Sequence, residues 1–155
     1  MREAIGGTWL FGLVITFIVF FASFLAISVN YSKAFNVKNN VVDLISKYEG
    51  NNCNARKKIG EYLNDVGYLV TGLCDTGYDA YDLKGNKVTG SSRGYYCIKK
   101  DDTNTTTDIK KSYYRVMVFF KIDLPFIGNL TTFRIKGETE SIYYAKDESS
   151  TTICS

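Results

Sequence analysis

Apolar residues follow three regimes along the chain. From Ala4 to Val29 no residue is charged, and apolar side chains stand on every side of a helix drawn through them. Beyond Asn30 they thin to Phe35, Val37, Val41, Leu44, Ile45 and Tyr48, whose steps from Val37 of four, three, one and three mark one helical stripe. From Tyr68 the period falls to two. The first two regimes predict one helix from about Glu3 to Glu49, apolar all round in its first half and amphipathic in its second. Glu49-Gly50-Asn51-Asn52 supplies the stop.

A second helix is predicted over 54–66. Asn52 or Asn54 serves as its cap, Ile59, Tyr62, Leu63 and Val66 form its apolar stripe, and Gly67 stands at the left-handed C-terminal position. Strands are predicted at 68–71, 78–83 and 95–99, with a hairpin turn at Lys84–Lys87. Asp101 to Asp108 reads as a polar loop. The strongest alternation is Tyr114, Val116, Val118, Phe120, Ile122 and Leu124 on one face, with Arg115, Lys121 and Asp123 on the other and Met117 and Phe119 between those. Pro125–Asn129 turns the chain. Phe133, Ile135 and Gly137 then face inward, with Arg134, Lys136, Glu138 and Glu140 outward. Keeping the apolar faces together pairs Ile122 with Phe133, Phe120 with Ile135, and Arg115 with Glu140. The expected fold class is α+β: a long N-terminal helix, a short second helix, and an antiparallel sheet carrying the helices on its apolar face.

Length sets the role of the first regime. The uncharged run exceeds both the roughly 7–15 apolar residues of a signal peptide and the roughly 20 needed to cross a bilayer core. Residues 1–30 are therefore expected to be the transmembrane half of the helix. Residues 31–155 are expected to be one extracytoplasmic α+β domain that includes the amphipathic half. Ala26-Ile27-Ser28 offers a small-x-small cleavage triplet, but the weak basic start and the long run argue for retention.

Composition narrows the chemistry. The net charge is +3, with no Lys/Arg run longer than Arg56-Lys57-Lys58, so no basic face marks a nucleic-acid site. The absence of histidine removes the commonest general base and metal ligand. No phosphate-cradling glycine motif occurs. Asp75, Asp79 and Asp82 lack the pattern of a calcium loop and read as turn carboxylates. Glu138 and Glu140 share a strand face and read as partners for Arg or Lys. No enzyme, cofactor or metal is expected.

The four cysteines, Cys53, Cys74, Cys97 and Cys154, all follow the apolar run without a CxxC pair. That pattern favours two disulfides in an oxidising compartment over a zinc site. A helix of about 20 Å and a returning strand of about 20–23 Å bring Cys53 and Cys74 to one end. The favoured pairing is thus Cys53–Cys74, with Cys97–Cys154 by elimination. Basic residues near the run (Arg2 before it; Lys33, Lys38 and Lys47 after it) mildly favour the C-terminal part inside. Cysteine placement is the more restrictive signal, so the N-terminus is assigned to the cytoplasm and the domain outside.

Within the run, Ala4, Thr8, Gly12 and Thr16 recur every fourth residue, and Ala22 and Ala26 do so again. Small residues at that spacing allow close approach of helices in lipid. Glu3 stands at the mouth of this face, where an anion suits a helix N-terminus.

The segment EAIGGTWLFGLVITFIVFFASFLAISVNYSKAF is similar to the acidic residue, apolar helix and amphipathic continuation of type IV pilin-like proteins. YYRVMVFFKIDLPFIGNLTTFRIKGETESIYY resembles the closing hairpin of the TadE-type pseudopilins of tight-adherence secretion systems. In the family the acidic residue follows a basic leader ending in glycine, whereas here Met1 and Arg2 stand before Glu3. The resemblance implies a pilin-like layout. It also implies a non-enzymatic, membrane-anchored part of a pilus or secretion apparatus, with other pilin-like or assembly membrane proteins, the bilayer and a second copy as partners. On it, Glu3 corresponds to the family's acidic residue. The other reading is a stand-alone membrane-anchored binding or adhesion module.

Overall fold

The computed structural model describes residues 2–90, 92–103, 110–124, 128–147 and 154, without the side chains of 2–6, 122–124 and 128–131. The fold is α+β. Helix α1 runs unbroken over Arg2–Lys47, 46 residues, or about 70 Å at 1.5 Å each. It ends in a Schellman turn: the Gly50 N–H donates to the Ile45 carbonyl and the Glu49 N–H to the Ser46 carbonyl. Glu49 takes the left-handed conformation there, with φ 56°.

Helix α2 covers Cys53–Asp65, with Asn52 as its cap accepting from the Ala55 N–H at 2.9 Å. It closes in the same manner at Gly67, φ 61°, where the Tyr68 N–H reaches the Leu63 carbonyl at 2.8 Å. Ile59 and Leu63 are fully buried, and Tyr62 and Val66 pack at the margin of the core.

Strands follow at Gly72–Leu73 (β1), Asp79–Tyr81 (β2), Arg93–Gly94 (β3), Tyr96–Thr103 (β4), Lys111–Leu124 (β5), Gly128–Glu138 (β6) and Ile142–Tyr143 (β7). The main sheet has the order β2-β4-β5-β6, with β7 also on β5, and β1 pairs with β3 in a small ribbon; all pairings are antiparallel. Helix α1 lies on this sheet through Ala34, Val37, Val41 and Ile45, each at most 1% exposed. Val37, Val41 and Ile45, with Ile59 and Leu63 of α2, form one core against Tyr96, Ile98, Tyr114, Val116 and Val118.

Four expectations about the strands are corrected. Residues 68–71 form no strand; pairing begins only at Gly72, since Tyr68 joins β5 through its hydroxyl, bonded to the Phe119 backbone, and not through its own backbone. β4 runs on to Thr103, so Asp101 to Thr103 belong to the sheet; residues 104–109 of the expected loop lie outside the described residues. The β5–β6 register is Phe120 with Phe133, Val118 with Ile135 and Arg115 with Glu138, two residues from the expected one, and a bulge intervenes between Lys121 and Asp123. The reason is a tighter turn: Leu124 pairs with Gly128, leaving 125–127 between them, outside the described residues. A shift of two preserves the faces, so Phe133 still stacks on Phe120 and Ile135 still meets the core. Lastly, Met117 and Phe119 are fully buried. They form a second small core with Cys74, Ala80 and Cys97 on the sheet face away from the helices, where Phe119 lies against Gly72.

That second layer explains the disulfides. The bonds are Cys53–Cys154 and Cys74–Cys97, not the expected Cys53–Cys74 and Cys97–Cys154. Cys53 starts α2 on the helix side. The chain after Tyr68 carries Cys74 to the other face, where Cys97 points, opposite in parity to its core neighbours Tyr96 and Ile98. The sheet therefore separates Cys53 from Cys74. All four cysteines are bonded.

Candidate functional site

The first half of α1 is long and apolar enough to cross a membrane: its most apolar window has a mean hydropathy of 2.7, and none of that window is buried. Its side chains from Gly7 to Phe17 are exposed throughout. Thr8, Gly12 and Thr16 come together along one open groove with Trp9, Leu13, Phe17 and Phe20 as walls. A Cβ built on Gly7 or Gly12 meets nothing within 4 Å. At Gly12 the groove floor is therefore bare backbone with open space above it. Thr16 Oγ1 donates to the Gly12 carbonyl at 2.9 Å, and Ser23 and Ser28 bond back to Val19 and Phe24 in the same way. Such back-bonding hides each hydroxyl proton from an apolar surround.

Of the other expected face residues, Ala22 is exposed and Ala26 half-buried, both beyond the groove. Glu3 and Ala4 lie on the helix backbone, but their side chains are outside the described residues. Counted at roughly 100° per residue, Thr8, Gly12, Thr16, Ala22 and Ala26 fall within about 120° of arc; Ala34, Val37 and Val41 of the buried stripe fall within the same arc, and Ile45 stands about 20° past its edge. The small-residue face and the sheet thus share one side of the helix.

Asp75, Asp79, Asp82 and Glu138 are each occupied by neighbouring groups of the domain. Asp75 pairs with Arg134 and with Lys136 at 2.6 Å. The Lys136 hydrogen bond, aided by Arg134, holds its carboxyl below the usual range. Asp79 pairs with Lys87 at 2.6 Å. Asp82 accepts from the N–H groups of Lys84 and Asn86, fixing the turn. Glu138, not Glu140, takes Arg115. Among the described residues no group of three or more His, Cys, Asp or Glu is placed to hold a metal. Arg56, within the longest basic run, is fully buried beneath the Tyr81 ring and donates to Cys53 Sγ at 3.3 Å.

Sequence reasoning missed one group of residues. Tyr31 and Phe35 of α1, Phe120 of β5 and Phe133 of β6 form a chain of ring contacts where the helix meets the sheet. No single segment signals it, because it depends on how β5 docks along α1. Comparison of the chain with protein-family models, with curated proteins and with solved structures returns no match.

Proposed function

We propose that the chain is a non-enzymatic, membrane-anchored, pilin-like component of a pilus or secretion apparatus, of the TadE type. Residues 1–30 form its membrane half, the N-terminus is cytoplasmic, and the disulfide-bonded domain faces an oxidising exterior. The observation that carries this reading is the division of labour within one continuous helix. Its second half is fastened to the sheet by Ala34, Val37, Val41 and Ile45, whereas its first half is bare and holds Thr8, Gly12 and Thr16 in one open groove. A bilayer-embedded groove of small residues is suited to a second helix, which gains dispersion contacts there that lipid chains fill less well. The helix of a second copy, or of another pilin-like subunit, is the fitting occupant.

A passive tether for a stand-alone binding or adhesion module is the second reading. It is favoured by the back-bonding of Thr16, which leaves that hydroxyl asking nothing of a partner. Substituting Thr8→Leu and Gly12→Leu together separates the two. Assembly through this face requires loss of crosslinked or co-purified complexes while the domain melts as before. Complexes that survive the double substitution assign the helix to tethering.

A further inference from the structure

The underside of the sheet domain carries side chains that neither core uses. Tyr31 meets Phe120 edge-on, with ring centroids 5.8 Å apart, and Phe120 stacks on Phe133 at 5.2 Å. Despite these contacts Tyr31 is 50% exposed, and Phe35 and Phe133 are each 41% exposed. Leu69, in the loop after α2, is 64% exposed. That loop is held at the same end of the domain: Tyr68 bonds to the Phe119 backbone, and Lys33 Nζ donates to the Gly67 carbonyl at 3.3 Å. Lys38 lies over the Phe35 ring, 4.2 Å from its centroid, and Lys33 and Lys121 are exposed beside the aromatic group. Asp65, at the end of α2, is the acidic residue nearest the loop in sequence.

The height of this patch follows from the helix. Tyr31 stands two residues after Val29, the last of the uncharged run. Strand β5 runs antiparallel to α1: Phe120 lies by Tyr31, whereas Gly137, the partner of Val116, lies against Lys38. Past Phe120 the strand backbone continues to Leu124, about 13 Å further toward the apolar half of the helix. A domain tethered at this point presents this patch to the bilayer that α1 enters. Exposed aromatic rings beside lysines suit the zone where headgroups meet acyl chains, since the rings sit at that boundary and the ammonium groups reach water and phosphate.

We propose that Tyr31, Phe35, Leu69 and Phe133 form a lipid-contacting collar, flanked by Lys33, Lys38 and Lys121, that seats the domain on the bilayer surface instead of leaving it free on its tether. The inference rests on the membrane-spanning reading of α1. Its test uses the full chain in phospholipid vesicles with lipids brominated near the top of the acyl chain, at low protein density. Wild-type Trp9 reports on the span. In a Trp9→Phe background, Leu69→Trp and Phe133→Trp report on the collar, and Tyr143→Trp, at the opposite end of β5, serves as the reference. Leu69 is an exposed loop position that tolerates the indole if Phe133→Trp perturbs folding.

The expected result is quenching at the two collar positions at least twofold stronger than at Tyr143→Trp. Quenching of Trp9 together with collar positions no more quenched than the reference overturns the collar and leaves the span standing. An unquenched Trp9 overturns the span itself. Collar positions that become shielded from lipid as protein density rises assign the patch to a second copy, and also overturn the proposal.

Discussion

The hydroxyl of Tyr68 serves as a strand partner for Phe119. It accepts from the Phe119 N–H at 2.6 Å and donates to the Phe119 carbonyl. The need arises because β4 accompanies β5 only as far as the Tyr96–Val118 pair, so the next backbone groups on that edge have no ladder to join. Both residues are buried, Tyr68 at 3% and Phe119 at 0% exposure, and water is no ready substitute. Tyr68→Phe is expected to cost about 1–3 kcal/mol for the orphaned groups, read as a lower denaturation midpoint of the full chain in detergent micelles. A midpoint unchanged by the substitution would mean the backbone finds other partners.

Much of this architecture was legible beforehand, and the failures have one root. The helices were readable because their signals are local: the stripe Val37–Val41–Ile45, the Asn52 cap and Gly67 all act within a turn or two. The inward face of β5 was readable from alternation, and an error of two residues in its pairing cost nothing in facing. Met117 and Phe119 were misplaced because nothing near them in sequence announces the second layer contributed by Gly72 and Cys74. The same layer defeated the disulfide argument, which measured how far the chain travels but not which side of the sheet it reaches. In the candidate site, the spacing of Thr8, Gly12 and Thr16 was visible at once. The collar was not, because Tyr31 and Phe133 meet only through the docking of β5.

The bridges offer a direct chemical check. Tryptic digestion under non-reducing conditions, with cleavage after Lys58 and Lys110 as well as after Lys84, Lys87 or Arg93, is expected to yield one linked pair holding Cys74 and Cys97 and another holding Cys53 and Cys154. Chain-entropy reasoning assigns about 3 kcal/mol to the bond that spans 23 residues and about 5 kcal/mol to the one that spans 101. Replacing Cys53 and Cys154 by Ser is therefore expected to lower the midpoint more than replacing Cys74 and Cys97. A linked Cys53–Cys74 peptide would show that α2 and β1 share a face after all.

Two glycines in helices are expected to respond oppositely to alanine. A Cβ on Gly60 would stand 1.9 Å from the Leu83 carbonyl oxygen, a backbone atom that gives way only if the Asp82–Asn86 turn moves. The clash outweighs the helix-propensity gain of about 1 kcal/mol, so Gly60→Ala is expected to destabilise the domain by about 1–3 kcal/mol. Gly12→Ala meets no atom within 4 Å, and its domain melt is expected to match the wild type. Equal melts for both variants would show that α2 shifts freely on the turn.

Alkaline pH supplies the last test. Tyr68, Tyr96 and Tyr114 are at most 3% exposed, and burial pushes all three phenols above the ordinary tyrosine value, assisted for Tyr114 by its bond to Asp147. As pH rises past about 10, the unfolded chain releases these protons while the folded chain keeps them. Stability is thus full below about pH 10 and falls above it, by about 1.4 kcal/mol per pH unit for each such tyrosine. Phenolate absorbance is expected to lag behind that of the exposed tyrosines and to appear for these three only as near-ultraviolet circular dichroism is lost. Tyr96 sharpens the test, because its buried hydroxyl has no hydrogen-bond partner among the described residues. Tyr96→Phe keeps the ring that stacks on Tyr81 at 5.4 Å and removes a desolvated polar group. The variant is expected to be at least as stable as wild type at pH 7 and to lose stability less steeply above pH 10. A variant that is clearly weaker at pH 7 would reveal a partner for that hydroxyl, and an unchanged alkaline slope would show that Tyr96 is not among the groups that drive unfolding.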